Sequence, residues 1–270
     1  MKGRALIEVV FVFALTLLLV ALAGLSPIGI WERQVTSRPF VEYSVMIGVP
    51  LVVLFAARRD VSSYGLSLRD AQYHLDVAAT IIVPVTLASA ALALVDYTHW
   101  SGALVLSGVN IALLFVVAWL LKSKPSPTER GIQGCAIVLV TGVTLVQGLS
   151  VANAISAFVF YVFFLGFGEE LLFRGYVQSR LNAGWGRPFQ FYRIDWGWGV
   201  VVASVLFGVM HVLNLGSLVG GDWQLEWWWG LWTFFSGLVY GLVREKTGSI
   251  VAPTILHGLP DAIAAALGLL

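Results

Sequence analysis

The sequence predicts an all-α, polytopic transmembrane bundle of about eight to nine helices, and three observations predict it. Of 270 residues, 59% are hydrophobic and 11% are charged, against roughly 25% charged in an ordinary soluble domain. Apolar runs recur at lengths close to the about 20 residues that cross a bilayer. The basic residues fall almost wholly on alternate connections between those runs.

The first run, 5–25, follows Lys2 and Arg4. It is long enough to span, so it reads as an uncleaved first helix rather than a cleaved signal peptide. Further spans are expected at 41–57, 77–95, 102–121, 132–149, 153–172, 197–215, 227–243 and 249–268. The longest polar connections are 58–76 and 174–196. Neither a repeat nor a soluble domain is visible, so residues 1–270 form a single membrane domain. With the N-terminus in the cytoplasm, only Arg33 and Arg38 of the sixteen basic residues fall outside. That is a positive-inside pattern, and it predicts a multi-pass protein of the cell membrane with a cytoplasmic N-terminus.

A net charge of +1 gives no basis for nucleic-acid binding. The single cysteine, Cys135, excludes an internal disulfide framework and any multi-cysteine metal site, and it reads as a buried structural residue. Trp223, Trp227, Trp228 and Trp229 read as an interfacial aromatic belt. Gly237 and Gly241 read as a helix-packing stripe.

Ionisable residues are costly at membrane depth, so those found there are functional candidates. Glu169, Glu170, His211, His257 and Asp261 lie inside spans, all in the last hundred or so residues, with Glu8 near the N-terminal interface. His74 and His99 fall in connections. Glu170 and Arg174 are four apart on one helix that can continue to about Leu181, so they can pair. Glu169 points about 100° away and is left without that partner. Phe207 with His211, and His257 with Asp261, share helix faces by the same spacing. Helical rise puts Glu169 about 16 Å in from Arg180, His257 about 16 Å from Lys246 and His211 about 20 Å from Trp198. Three helices thus carry an acid or imidazole at similar depth.

Taken in order, EELLFR, FGVMH and HGLPD resemble the E-E-x-x-x-R, F-x-x-x-H and H-x-x-x-N/D motifs of the CPBP family. That family groups type II CAAX prenyl endopeptidases with relatives linked to bacteriocin processing and immunity. The resemblance covers about 153–265 as a catalytic core, leaving 1–150 as accessory transmembrane helices without a motif. Prenyl-processing members typically carry Asn at the last motif position, where this chain has Asp261.

The resemblance implies an intramembrane endopeptidase acting on a peptide or protein substrate, prenylated or membrane-anchored, within or near the bilayer. Glu169 would be the general base, with His211 positioning or polarising the water. His257 and Asp261 would face the scissile carbonyl. A histidine can donate to an oxyanion and an ionised Asp cannot, so Asp261 would orient His257 or bind metal. Arg174 would hold Glu170. Zinc accepts Glu169, His211, His257 and Asp261 as an N/O ligand set with one position for water. A metal-free site would use the same residues, and the H-E-x-x-H helix of common zinc proteases is absent. Two rival functions share these deep groups: a proton- or ion-coupled transporter, and a non-catalytic immunity or binding protein on the same fold. The absence of an internal repeat counts against the transporter.

Overall fold

With no water to satisfy the backbone in lipid, the apolar runs must close their hydrogen bonds internally, and they do so as helices. The computed structural model describes residues 2–96, 98–123, 151–221, 223–266 and 268. The span expected at 132–149 and Cys135 lie outside them.

The described helices are α1 (Lys2–Leu25), α2 (Pro27–Thr36), α3 (Phe40–Ala56), α4 (Ala71–Ala90), α5 (Trp100–Leu121), α6 (Ala152–Trp185), α7 (Trp198–Leu213), α8 (Leu215–Gly220), α9 (Trp227–Thr247) and α10 (Val251–Ala266). Among the described residues α1, α4, α5, α6 and the stretch Trp198–Gly220 are long and apolar enough to cross a membrane, and α3 is a shorter apolar helix of 17 residues. The all-α multi-pass bundle is therefore the observed architecture.

Local sequence sets the turns between helices. Ser26 caps α2 by accepting from the Gly29 amide, with Pro27 at the first helical position. Gly248 ends α9 at a φ of 71°, where its amide bonds the Arg244 carbonyl. Pro50, Pro84 and Pro260 lie inside α3, α4 and α10, as membrane helices tolerate when neighbours re-satisfy the freed carbonyls.

The segment 174–196, read as a polar connection into which the helix can run to about Leu181, is helical for four residues more and is largely buried at its start. Helix α6 runs on to Trp185, and Leu171 through Gln178 are buried. Their polar side chains are turned toward α9. Arg174 Nη2 donates to the Gly237 carbonyl at 3.2 Å, and Gln178 Nε2 donates to the Gly241 carbonyl at 3.0 Å and to Glu245 at 2.7 Å. Residues that look like a solvated loop in the sequence are thus glue between helices. Only 186–197 connects, and it carries an antiparallel pair, β1 (Phe189–Phe191) and β2 (Ile194–Trp196). His74 likewise sits buried in α4, its Nε2 3.0 Å from the Arg69 carbonyl, and not in a connection.

Helix α9 packs on α7 because Gly237 and Gly241 carry no side chain. A Cβ at 237 would come within 3.0 Å of Ser204, and one at 241 within 2.8 Å of Val200. One buried cluster joins α4, α5, α9 and α10, and two others join α1, α3, α6 and α7. Ion pairs and hydrogen bonds of charged side chains tie both ends of the bundle. At one, Glu8 binds Arg59 and Arg180, Glu245 binds Arg187, and Arg244 reaches Ser63 and Ser179. At the other, Arg33 pairs with Glu42 and Arg38 donates to Ser156.

Candidate active site

Helix α6 carries the two adjacent carboxylates on a short α turn, Phe167–Glu170, between two π-wound stretches, Val159–Gly166 and Leu171–Gln178. Such widened turns concentrate at functional sites. Here α6 and α10 come together backbone to backbone. A Cβ at Gly166 would meet the Gly258 amide and the Thr254 carbonyl at 3.0 Å, and one at Gly258 would collide with the Tyr161 carbonyl. The close approach brings His257 onto the carboxylates.

Glu170 is fully buried, and its Oε1 accepts from Arg174 Nη1 and from His257 Nδ1, each at 2.9 Å. The Glu170–Arg174 pair read from the sequence is therefore present. His257 is the addition: it hangs on Glu170, and no hydrogen bond or ion pair joins it to Asp261 among the described residues. Asp261, expected to orient His257, shares helix α10 with it but makes no such contact among the described residues. Four residues along a helix loosened by Pro260 share a face without having to touch.

Glu169 is 3% exposed. Its Oε2 lies 3.6 Å from His257 Nε2, too long for a hydrogen bond, and has no hydrogen-bond partner among the described residues. Its Oε1 accepts from the Tyr43 hydroxyl at 3.0 Å. Tyr43 was not a candidate from sequence; a tyrosine in an apolar run carries no motif, and its partner lies 126 residues away.

His211 on α7 donates from Nδ1 to the Phe207 carbonyl at 2.8 Å. A carbonyl only accepts, so the neutral ring keeps its proton on Nδ1 and offers Nε2 as an acceptor. His211 is not joined to Glu169 by any hydrogen bond or ion pair among the described residues. Phe207 relates it to the rest: the Phe207 ring stands edge-on to His211 at 4.5 Å and to His257 at 5.8 Å. The same ring lies 4.5 Å from the Arg174 guanidinium carbon. Tyr240 from α9 stacks on His257 at 5.1 Å with planes 13° apart, and Trp229 stands against His211 at 5.0 Å. The aromatic position of F-x-x-x-H thus separates the two imidazoles and roofs the buried arginine.

The residues do not fit a metal centre as they stand. Among the described residues no three of His, Cys, Asp or Glu are grouped to hold an ion. Nδ1 of each histidine is engaged, which leaves Nε2 for a ligand, but among the described residues no hydrogen bond or ion pair joins His211 or Asp261 to Glu169. The zinc set of Glu169, His211, His257 and Asp261 is not assembled, and no step below passes through a metal.

Residues 151–263, less than half of the chain, match the family model described as Type II CAAX prenyl endopeptidase Rce1-like. All seven motif residues fall inside that segment, and the match supports the CPBP resemblance and an intramembrane protease. No curated protein and no solved structure matches the chain.

Proposed function

We propose that this chain, whose residues 151–263 match that family model, is an intramembrane endopeptidase that hydrolyses a peptide bond of a protein or peptide substrate within or near the bilayer. The observation that carries the reading is Glu169 Oε2, a buried carboxylate oxygen with no hydrogen-bond partner among the described residues, beside the imidazole of His257. Burying a polar oxygen unpaired costs free energy, and a group kept that way in a stable bundle is suited to bind something during reaction.

In the reaction, Glu169 Oε2 and His211 Nε2 each accept a hydrogen of one water, which turns its oxygen lone pair toward the scissile carbonyl. The water oxygen attacks the carbonyl carbon as Glu169 takes a proton. The carbonyl oxygen becomes an oxyanion and accepts from His257 Nε2. With Nδ1–H already donated to Glu170, that second donation requires the imidazolium form, and two carboxylates flank the ring. Glu169 then returns its proton to the leaving nitrogen as the carbon–nitrogen bond breaks. The products are a new carboxylic acid and a new amine, the acid then passing its proton to the amine or to water, and Glu169 is regenerated.

Arg174 and Glu170 do not touch the substrate in this scheme. They fix His257, and the Phe207 and Tyr240 rings hold the arginine and imidazole in place. Family likeness extends the substrate class to prenylated chain ends, with Asp261 in place of Asn as the departure that a substrate panel must address.

Purified protein in liposomes, given a panel of quenched-fluorescent peptides with and without a prenyl group, tests the reading. Cleavage by wild type that disappears in folded Glu169→Gln and His211→Ala is the expected result. Equal cleavage in all three removes the site assignment, and ion flux without endopeptidase activity returns the transporter.

A further inference from the structure

The proposed base sits in the matched segment, but its hydrogen bond comes from outside it. Tyr43 belongs to the first turn of α3, one of the accessory helices, and its hydroxyl donates to Glu169 Oε1 at 3.0 Å. Among the described residues this is the hydrogen bond that Glu169 makes. Its other oxygen, Oε2, is unpaired and faces His257 Nε2 at 3.6 Å.

The terminal torsion of a glutamate is broad and roughly two-fold, so packing alone does not decide which oxygen faces which neighbour. One hydrogen bond from a fixed donor does. Tyr43 is such a donor: its ring packs on Phe160, and residues beside it tie its helix down. Its ring stands perpendicular to Phe160 at 5.4 Å, and Phe40 stands edge-on to Phe160 and Phe164 at 5.0 and 4.9 Å. Its neighbour Glu42, about 100° around the helix, is tied to Arg33, which also donates to the Gly24 carbonyl at 2.7 Å. Gly168 lets α3 lie against α6 beside the carboxylate: a Cβ there would stand 3.5 Å from Tyr43 and 3.3 Å from Ile47.

We infer that Tyr43 is a positioning residue for the base: its hydroxyl holds Glu169 Oε1 and thereby turns Oε2 toward the reacting water, so that helix α3 completes a site which segment 151–263 does not complete alone. The inference rests on the assignment of Glu169 as base. Two acceptor oxygens become distinct, one anchored and one reactive, which is the preorganisation a general base needs.

Full-length wild type, Tyr43→Phe, Glu169→Gln and the double variant, in liposomes with one cleaved peptide, test it by separating kcat from KM. Tyr43→Phe keeps the ring and its aromatic contacts and removes only the donor. The expected result is a kcat about tenfold lower, with KM within about twofold and the thermal unfolding midpoint unchanged. The double variant should be no worse than Glu169→Gln, since the hydroxyl acts through that carboxylate. Wild-type kcat in Tyr43→Phe, with Glu169→Gln inactive, overturns the role of Tyr43 and leaves the base in place. So does a loss that tracks a lowered unfolding midpoint, because the hydroxyl would then be structural. Activity in Glu169→Gln overturns the base and the inference together.

Discussion

One oxygen of Glu170 serves two donors on two helices: Arg174 Nη1 and His257 Nδ1 both reach Oε1 at 2.9 Å. The adjacent carboxylates of the E-E pair therefore divide their work. Among the described residues Oε2 of each is unpaired, but Glu170 Oε1 holds an arginine and an imidazole, while Glu169 Oε1 accepts from the Tyr43 hydroxyl and its Oε2 faces His257.

Arg174 and Glu170 are fully buried, so removing one charge strands the other. Arg174→Met is expected to cost about 3–5 kcal/mol. Denaturant unfolding in detergent micelles, followed by tryptophan fluorescence, reads it. A variant as stable as wild type would mean that water reaches Glu170.

His257 supplies the oxyanion donor in the proposed reaction. His257→Ala should lower kcat by about a hundred- to a thousand-fold, with a smaller change in KM. Steady-state kinetics on a cleaved peptide checks both parameters, and a pure KM effect would move His257 from transition-state stabilisation to ground-state binding.

The proposed reaction routes no step through a metal, so it should tolerate chelation. Dialysis against a strong zinc chelator is expected to leave peptide cleavage within about twofold of untreated protein. Loss of activity that added zinc restores would require His211 and Asp261 to move onto Glu169 and His257, because among the described residues no such group is assembled.

Gly258 is required by the contact of α10 with the π-wound stretch of α6, where a Cβ would strike the Tyr161 carbonyl. Backbone cannot yield as a flexible side chain does, so Gly258→Ala should lose about 1–3 kcal/mol and pull His257 away from Glu170. The unfolding midpoint and kcat, measured on the same preparation, should fall together.

Much of the fold was legible because lipid imposes a length on each apolar run, and each expected span within the described residues coincides with a helix. The Glu170–Arg174 pair was legible for a similar reason: helical spacing within one element is local information. The hydrogen bonds between elements were not. His257 could have turned to Asp261 by the same spacing rule, and its actual partner, Glu170, is 87 residues away. Tyr43 carries no motif. The helix was readable to about Leu181, but the burial of its polar end was not: Arg174, Gln178 and Asn182 are polar in composition, and the backbone and carboxylate they bind lie on α9. No residue in the π-wound stretches signals their winding, and the close approach of Gly166 to Gly258 joins residues far apart in the chain.

The most direct test of the central claim is cleavage of a membrane-embedded peptide in heavy-oxygen water, read by mass spectrometry for wild type and Glu169→Gln. Activation of water by Glu169 predicts that wild type places one heavy oxygen in each newly formed carboxylate, and that the folded variant forms no product above background. Labelled product at equal rates from both proteins would contradict the account.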